Sequence, residues 1–331
     1  MSTNPIPYSQ AAQLDPRVTL PCPVIDPTLA PILDAFSIPE ELDLRLMRGE
    51  LDALPDVDPN DNPYVYNAFT ITKANPKFEH SEHSTPGPDS TTVILSVFAP
   101  RKATSTALPA FYHVHGGGMV SGDRFVGLTE VLKSLDGIEC VVISTSKNAA
   151  ILGIDPARIV VYGLSGGEAL AAATCLMARD RKGPAFPIMA LMLHTPMLDN
   201  RCESVSDQQF EYSSPWCGVT NRKAWEHVLG AEHCGGDMIT AYQAPSRAED
   251  FSNLPSPYID VGECEVFRDP AVMYATNMWR CGSTCELHVW PGGWHLFDMM
   301  DEAMSPLVQA AVAAKRAWLA RMMQPKGEDD A

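Results

Sequence analysis

The chain has 331 residues, 45% of them apolar, enough for one large α/β domain or two small ones around a sizeable core. Its 24 Lys and Arg against 41 Asp and Glu give a net charge of −17, which makes phosphate backbones and anionic lipid surfaces poor partners. No stretch approaches the roughly 18 apolar residues of a transmembrane helix, and residues 1–18 show no basic-then-apolar leader pattern.

Residues 1–30, rich in Pro and polar residues, read as a loose arm. Residues 30–54 carry apolar side chains at helical spacing and predict a short helical pair, so residues 1–60 are expected to form an arm with cap helices. From Tyr64 the pattern turns to strands, VYNAFTITK and then TTVILSVFAP, with the His-, Pro- and Gly-rich stretch between them as a long exposed hairpin loop. Further on, LPAFYHVHG, IECVVIS, ARIVVYG, PIMALMLHTP, SPYIDVG and CELHVWPG are apolar strand candidates, several of them separated by segments long enough for helices. That alternation implies a mostly parallel sheet with helices on both faces, which binds ligands at the carboxyl ends of its strands. The expected core spans residues 61–323, and residues 324–331 form an acidic tail.

Two glycine-rich segments carry chemistry. VVYGLSGGEALAAATCLMARD reads as strand, sharp turn and helix, and Gly163–Gly167 fits the nucleophile-elbow pattern G-x-S-x-G, with Ser165 at its tip. Glycines on both sides admit close backbone approach, and the turn amides favour a developing negative charge. About 50 residues upstream, His115-Gly116-Gly117-Gly118 closes the strand PAFYHV. Consecutive glycines there allow backbone N–H groups to point into one site, and acyl transfer needs two or three such donors, each worth about 3–4 kcal/mol. The expected donors are Gly117, Gly118 and Gly166.

Together, HGGG and the elbow resemble the hormone-sensitive-lipase group of α/β-hydrolases, over roughly residues 64–320. The resemblance implies an α/β-hydrolase core with a helical cap, drawn here from residues 1–60 and about 201–245. It also implies a Ser, then Asp/Glu, then His order for the triad. WPGGWHLFD is similar to the family's catalytic-histidine loop, which assigns the base to His295; His194, inside an apolar strand, reads as a core or strand-end residue. The family acid lies three residues past a strand-end glycine, which is Glu265 after Gly262, with Asp269 as the alternative acid or a local ion pair or helix cap.

The chain departs from the family in two places. Leu164 and Gly166 flank the serine where relatives usually carry an acidic residue and Ala, which leaves the elbow with less bulk to stiffen it. After Ser144 the family's loop and crossover helix look shortened, with about 13 residues left before Arg158. The HGGG strand is expected between the two strands, about 10 Å apart at ~4.8 Å per step, and 13 extended residues reach roughly 40 Å. Loss of the helix is expected to uncover apolar sheet, at a cost on the order of ten kcal/mol for several hundred Å² unless other segments repack over it.

The resulting expectation is a serine carboxylic-ester hydrolase acting on a small-molecule ester through Ser165, His295 and Glu265, with no metal or organic cofactor. Met119, Trp216 and Trp294 are candidates for the pocket wall. The same triad serves lactone opening, deacetylation or acyl transfer to another alcohol, and a catalytically weak binding protein could use the same scaffold. Nine scattered cysteines, with no second Cys or His cluster beside Cys281 and Cys285, fit free thiols in a cytoplasmic protein. The oligomeric state is unknown from sequence.

Overall fold

The computed structural model describes residues 7–36, 67–87, 90–103, 105, 107–144 and 153–323. Eight strands form one sheet in the order β1-β2-β4-β3-β5-β6-β7-β8. They are β1 Phe78–Pro86, β2 Thr92–Pro100, β3 Leu108–Val114, β4 Val141–Ser144, β5 Ile154–Leu164, β6 Ala190–His194, β7 Pro257–Gly262 and β8 Glu286–Trp290. Strand β2 runs antiparallel to both of its neighbours, and the pairs from β4 through β8 are parallel. The carboxyl ends of β3, β5, β7 and β8 therefore share one edge, and each is followed by a segment singled out in the sequence.

Apolar residues alternate between faces along the central strands. Val160, Tyr162 and Met192 face one side, where they meet helices α3 Ala68–Ala74, α4 Leu128–Ser134 and α9 Pro306–Met323. Val161, Leu191 and Leu193 face the other, against α5 Gly167–Asp180 and α8 Arg268–Arg280. Helix α5 turns a run of small residues to the sheet, with Ala169, Ala171, Ala172 and Ala173 buried, which allows a close approach.

Three expectations change. VYNAFTITK was expected as a strand, yet Ala68–Ala74 is helical, because Asn67 and Thr70 form a reciprocal capping box. The strand is the neighbouring FEHSEHSTP, expected as an exposed loop. It is the edge strand β1, whose polar residues face solvent while Phe78 and Thr85 are buried. The arm, expected as loose, is packed over residues 7–36. Helices α1 Tyr8–Leu14 and α2 Ala30–Asp34 bury Ala12 and Leu33, and Asp26 N–H donates to Gly292 O at 3.0 Å beside the histidine loop. The rest of the helical pair, from residue 37, and the tail from residue 324 lie outside the described residues.

As expected, β3 lies between β4 and β5, but β5 already begins at Ile154, which leaves only residues 145–153 for the connection. Over this half of the sheet, Leu95, Val97, Ala110, Val141, Ile143 and Ile154 form a cluster built of strand residues, to which no helix among the described residues contributes a side chain. These residues are nevertheless buried, Val141 at 2% and Ile143 at 1% exposure, so the uncovered sheet expected from the shortened crossover is not found.

Candidate active site

Ser165 sits at the tip of the β5–α5 turn with φ of +53°, a left-handed conformation that a non-glycine residue adopts only when its surroundings enforce it. Close packing of the turn supplies that constraint. A side chain at Gly163 would meet Glu168 Cα at 2.5 Å, and one at Gly167 would meet Val114 O at 2.3 Å. Ser165 N–H donates to His194 O at 3.1 Å, which fastens the elbow to the end of β6.

The elbow meets the triple-glycine loop at Gly166. A Cβ there would lie 2.5 Å from Met119 N and 2.6 Å from Gly118 N. Glycine at 166 is thus what lets the two loops touch, and the departure from the family's Ala has a steric reason. Leu164, where relatives carry an acid, is 2% exposed and packs against Gly127 and Gly116. Gly117, Gly118 and Met119 all have positive φ, and Gly117 O accepts from Val120 N–H and Ser121 N–H. Among the described residues, the N–H groups of Gly117, Gly118 and Gly166 have no backbone acceptor.

His295 approaches from the loop after β8. Its Nε2 lies 3.0 Å from Ser165 Oγ, and its Nδ1 lies 2.6 Å from Glu265 Oε2. A carboxylate only accepts, so Nδ1 carries the proton and Nε2 is free to take one from the serine. Glu265 is fully buried, and its other oxygen accepts from Gly262 N–H at 2.8 Å, so both oxygens have donors. Close approach of the acid turn to the histidine loop requires glycine at 262, where a Cβ would meet Gly293 O at 2.4 Å. Cys264 N–H donates to Gly293 O at 2.8 Å, and Gly292 N–H donates to Glu263 at 3.0 Å. Phe267 packs edge-on against the imidazole at 5.2 Å.

Asp269, the alternative acid, is committed elsewhere. It accepts from Arg268 Nε at 2.7 Å and from Ser206 N–H at 2.8 Å, at the start of the short helix α6 Val205–Gln209. Of the pocket-wall candidates, Trp216 stands against the site directly. Its six-membered ring reaches within 2.4 Å of where a Gly118 side chain would be, and lies 6.3 Å from the His295 ring. Asn221, on helix α7 Gly218–Leu229, accepts from its Nε1 at 3.3 Å. Ser165 is only 3% exposed behind this wall. Trp294 is buried too, beside Tyr8 and Phe210, and Met119 belongs to the glycine loop.

Several buried polar groups near the site escaped the sequence reading. Glu168 is fully buried in the first turn of α5, and neither carboxyl oxygen has a partner among the described residues. Burial, helped by the negative charge of Asp260, pushes its carboxyl well above the usual range. His194, read as a core or strand-end residue, ends β6 and joins Tyr162, Asp298 and Lys315 in a buried network. Little in the sequence marked Lys315, one of three cations, with Arg316 and Arg321, in a helix rich in Ala.

With its elbow serine, imidazole and carboxyl at one edge of a largely parallel sheet, the molecule has the α/β-hydrolase architecture. Over residues 136–299 the sequence matches the family described by the α/β-hydrolase fold. It is 26% identical over 294 residues to esterase LipI of Mycobacterium tuberculosis, covering 80% of this chain and 85% of that one. Carboxylesterase NlhH of the same species is 26% identical over 302 residues, covering 81% and 87%. Among solved structures, a bacterial heroin esterase superposes with a TM-score of 0.75 at 26% identity, over 91% of this chain and 98% of that one. The chain has the α/β-hydrolase fold and is similar to esterases of the hormone-sensitive-lipase type. No helix among the described residues is long and apolar enough to cross a membrane.

Proposed function

We propose that this protein hydrolyses small carboxylic esters through Ser165, His295 and Glu265. The reading is carried by the unbroken relay from Ser165 Oγ to His295 Nε2 at 3.0 Å and from His295 Nδ1 to Glu265 at 2.6 Å. Ser165 Oγ attacks the acyl carbon while His295 Nε2 takes its proton, and Glu265 stabilises the imidazolium. The amides of Gly117, Gly118 and Gly166 hold the oxyanion. Collapse expels the alcohol, which receives the proton from His295. Water, deprotonated by the same nitrogen, then releases the acid and restores the serine.

Relatives named esterase and carboxylesterase support this reaction class. The closeness of Trp216 to Gly118 and His295 favours a compact acyl group. Residues 7–36 and about 201–245 act as the cap, and residues 61–323 hold the core that carries the machinery. Nine free cysteines suit a reducing compartment such as the cytoplasm.

The test is product analysis with short p-nitrophenyl esters in water and in water containing a competing alcohol. Release of free acid that depends on Ser165, in both media, supports hydrolysis. Predominant formation of a new ester identifies an acyltransferase instead, and absence of turnover on any ester or lactone overturns the enzymatic reading.

A further inference from the structure

Beneath the triad lies a charged cluster for which the proposed hydrolysis has no role. Lys315, on α9 and 4% exposed, donates to Asp298 Oδ2 and lies 3.6 Å from Asp260 Oδ2. His194 Nε2 donates to Asp298 Oδ1 at 2.7 Å, and its Nδ1 accepts from the Tyr162 hydroxyl at 3.0 Å. With both ring nitrogens so engaged, the 3.3 Å approach of Lys315 to Nε2 is a packing contact. His194, Asp260 and Asp298 present ligand atoms within 4.8 Å of one another, the donor set of a divalent-cation site, and the lysine ammonium already lies against them. Burial raises the Asp260 carboxyl. At Asp298 burial also works upward, but His194 and Lys315 outweigh it and hold that carboxyl below its usual range.

Each anion or ring in the cluster lies on a segment that carries part of the triad or is hydrogen-bonded to one. The carbonyl of His194 accepts from Ser165 N–H. Asp260 lies on β7, two residues before Gly262, whose N–H holds Glu265, and its carbonyl accepts from Thr195 N–H at 2.8 Å. Asp298 lies in the 3-10 turn Phe297–Met299, three residues after His295. One cation from the C-terminal helix therefore reaches all three legs.

We propose that Lys315 is a positioning residue, whose ammonium stands where a metal ion would and ties the loops bearing Ser165, Glu265 and His295 into one register. The role rests on the reading of those three residues as the hydrolytic triad. The ammonium touches no substrate. It acts by holding Asp298, and with it the histidine loop, against β6 and β7.

Two variants test this: Lys315→Met alone, and Lys315→Met combined with Asp298→Asn, which removes the ammonium together with the carboxylate it bonds and leaves Asp260 as the one buried carboxyl of the cluster. The readouts are kcat and KM on a short p-nitrophenyl ester, the rate of labelling by a fluorophosphonate, thermal stability, and the downfield proton resonance of the His295–Glu265 hydrogen bond. The expected result is a loss of at least tenfold in kcat and labelling rate, with KM within twofold. The double variant regains thermal stability but not kcat, and the resonance shifts or broadens. A purely structural role moves stability alone, so a folded single or double variant with kcat and resonance matching the parent overturns the proposal. Should the single variant not fold, the double decides. If the parent shows the resonance but neither labels nor turns over, the hydrolase reading fails, and the resonance still reports on the tie.

Discussion

The two halves of the sheet differ in how they are covered and in what they carry. From β5 to β7, helices pack on both faces, and the strand ends on this side of the molecule deliver Ser165, Glu265 and, after β8, His295. From β2 through β4 and β3, one face meets α3 and α4, whereas the other is a strand-only cluster without a helix among the described residues. Strand β3 serves both through the triple-glycine loop at its end, and β5 runs from Ile154 in the strand-only cluster to Ser165 at its carboxyl end. The difference teaches that the candidate triad is carried by the doubly covered half, and that the short β4–β5 connection falls beside the strand-only cluster, away from those three residues.

Substitutions that sharpen this division should act on rate in one half and on stability in the other. The largest expected effect is at the acid. Glu265→Gln keeps the shape but favours the wrong imidazole tautomer, so kcat should fall on the order of 10⁴-fold, while Asp269→Asn, which touches only Arg268 and Ser206, stays within about twofold. Steady-state kinetics on one ester compares them, and equal losses would reassign the acid. Next is Gly166→Ala. Its new methyl meets Met119 N and Gly118 N, which displaces the oxyanion donors and should lower kcat by roughly 10²–10³-fold, together with a lower unfolding temperature because the atoms it meets are backbone.

The third experiment turns to the covering itself. Leu193→Ala, in the doubly covered half, should lose about 3 kcal/mol as a core cavity does. Ile143→Ala, in the strand-only cluster, should lose a similar amount if its 1% exposure reflects close packing. Denaturant unfolding measures both, and a loss well below 1 kcal/mol at Ile143 would show that its cover packs loosely.

The last prediction concerns Glu168 and is read as a pH dependence. Its carboxyl titrates above its ordinary value in the folded protein, so the folded state keeps a proton that the unfolded chain releases. Stability therefore falls as pH rises past the unfolded value, by up to ~1.4 kcal/mol per pH unit. Glu168→Gln has no proton to lose. Its thermal stability should exceed the parent's by a margin that widens from about pH 5 to pH 8, and a constant margin would mean that the carboxyl is paired.

The residues of the proposed triad and oxyanion loop stood out in the sequence because their geometry is local. GLSGG and HGGG carry their own backbone requirements, and PGGWH follows a strand closely enough to be placed. Choosing Glu265 over Asp269 needed the family spacing, and the structure brings Glu265 to the imidazole through glycines that let two distant turns touch. The charged cluster was illegible for the opposite reason. Lys315 meets Asp298 and Asp260 across sequence separations that no periodicity records, and a lone lysine in an apolar helix reads as a solvated side chain. Residues 67–86 misled because β-branched Ile71 and Thr72 suggested a strand, while the Asn67–Thr70 cap decided for a helix.

The most direct test of the hydrolytic assignment is mass-spectrometric mapping after treatment with a fluorophosphonate, in the parent and in Ser165→Ala. A single adduct on the peptide bearing Ser165, formed together with loss of ester turnover and absent from the alanine variant, is the expected result. An adduct on another residue, or turnover that survives Ser165→Ala, would contradict the account.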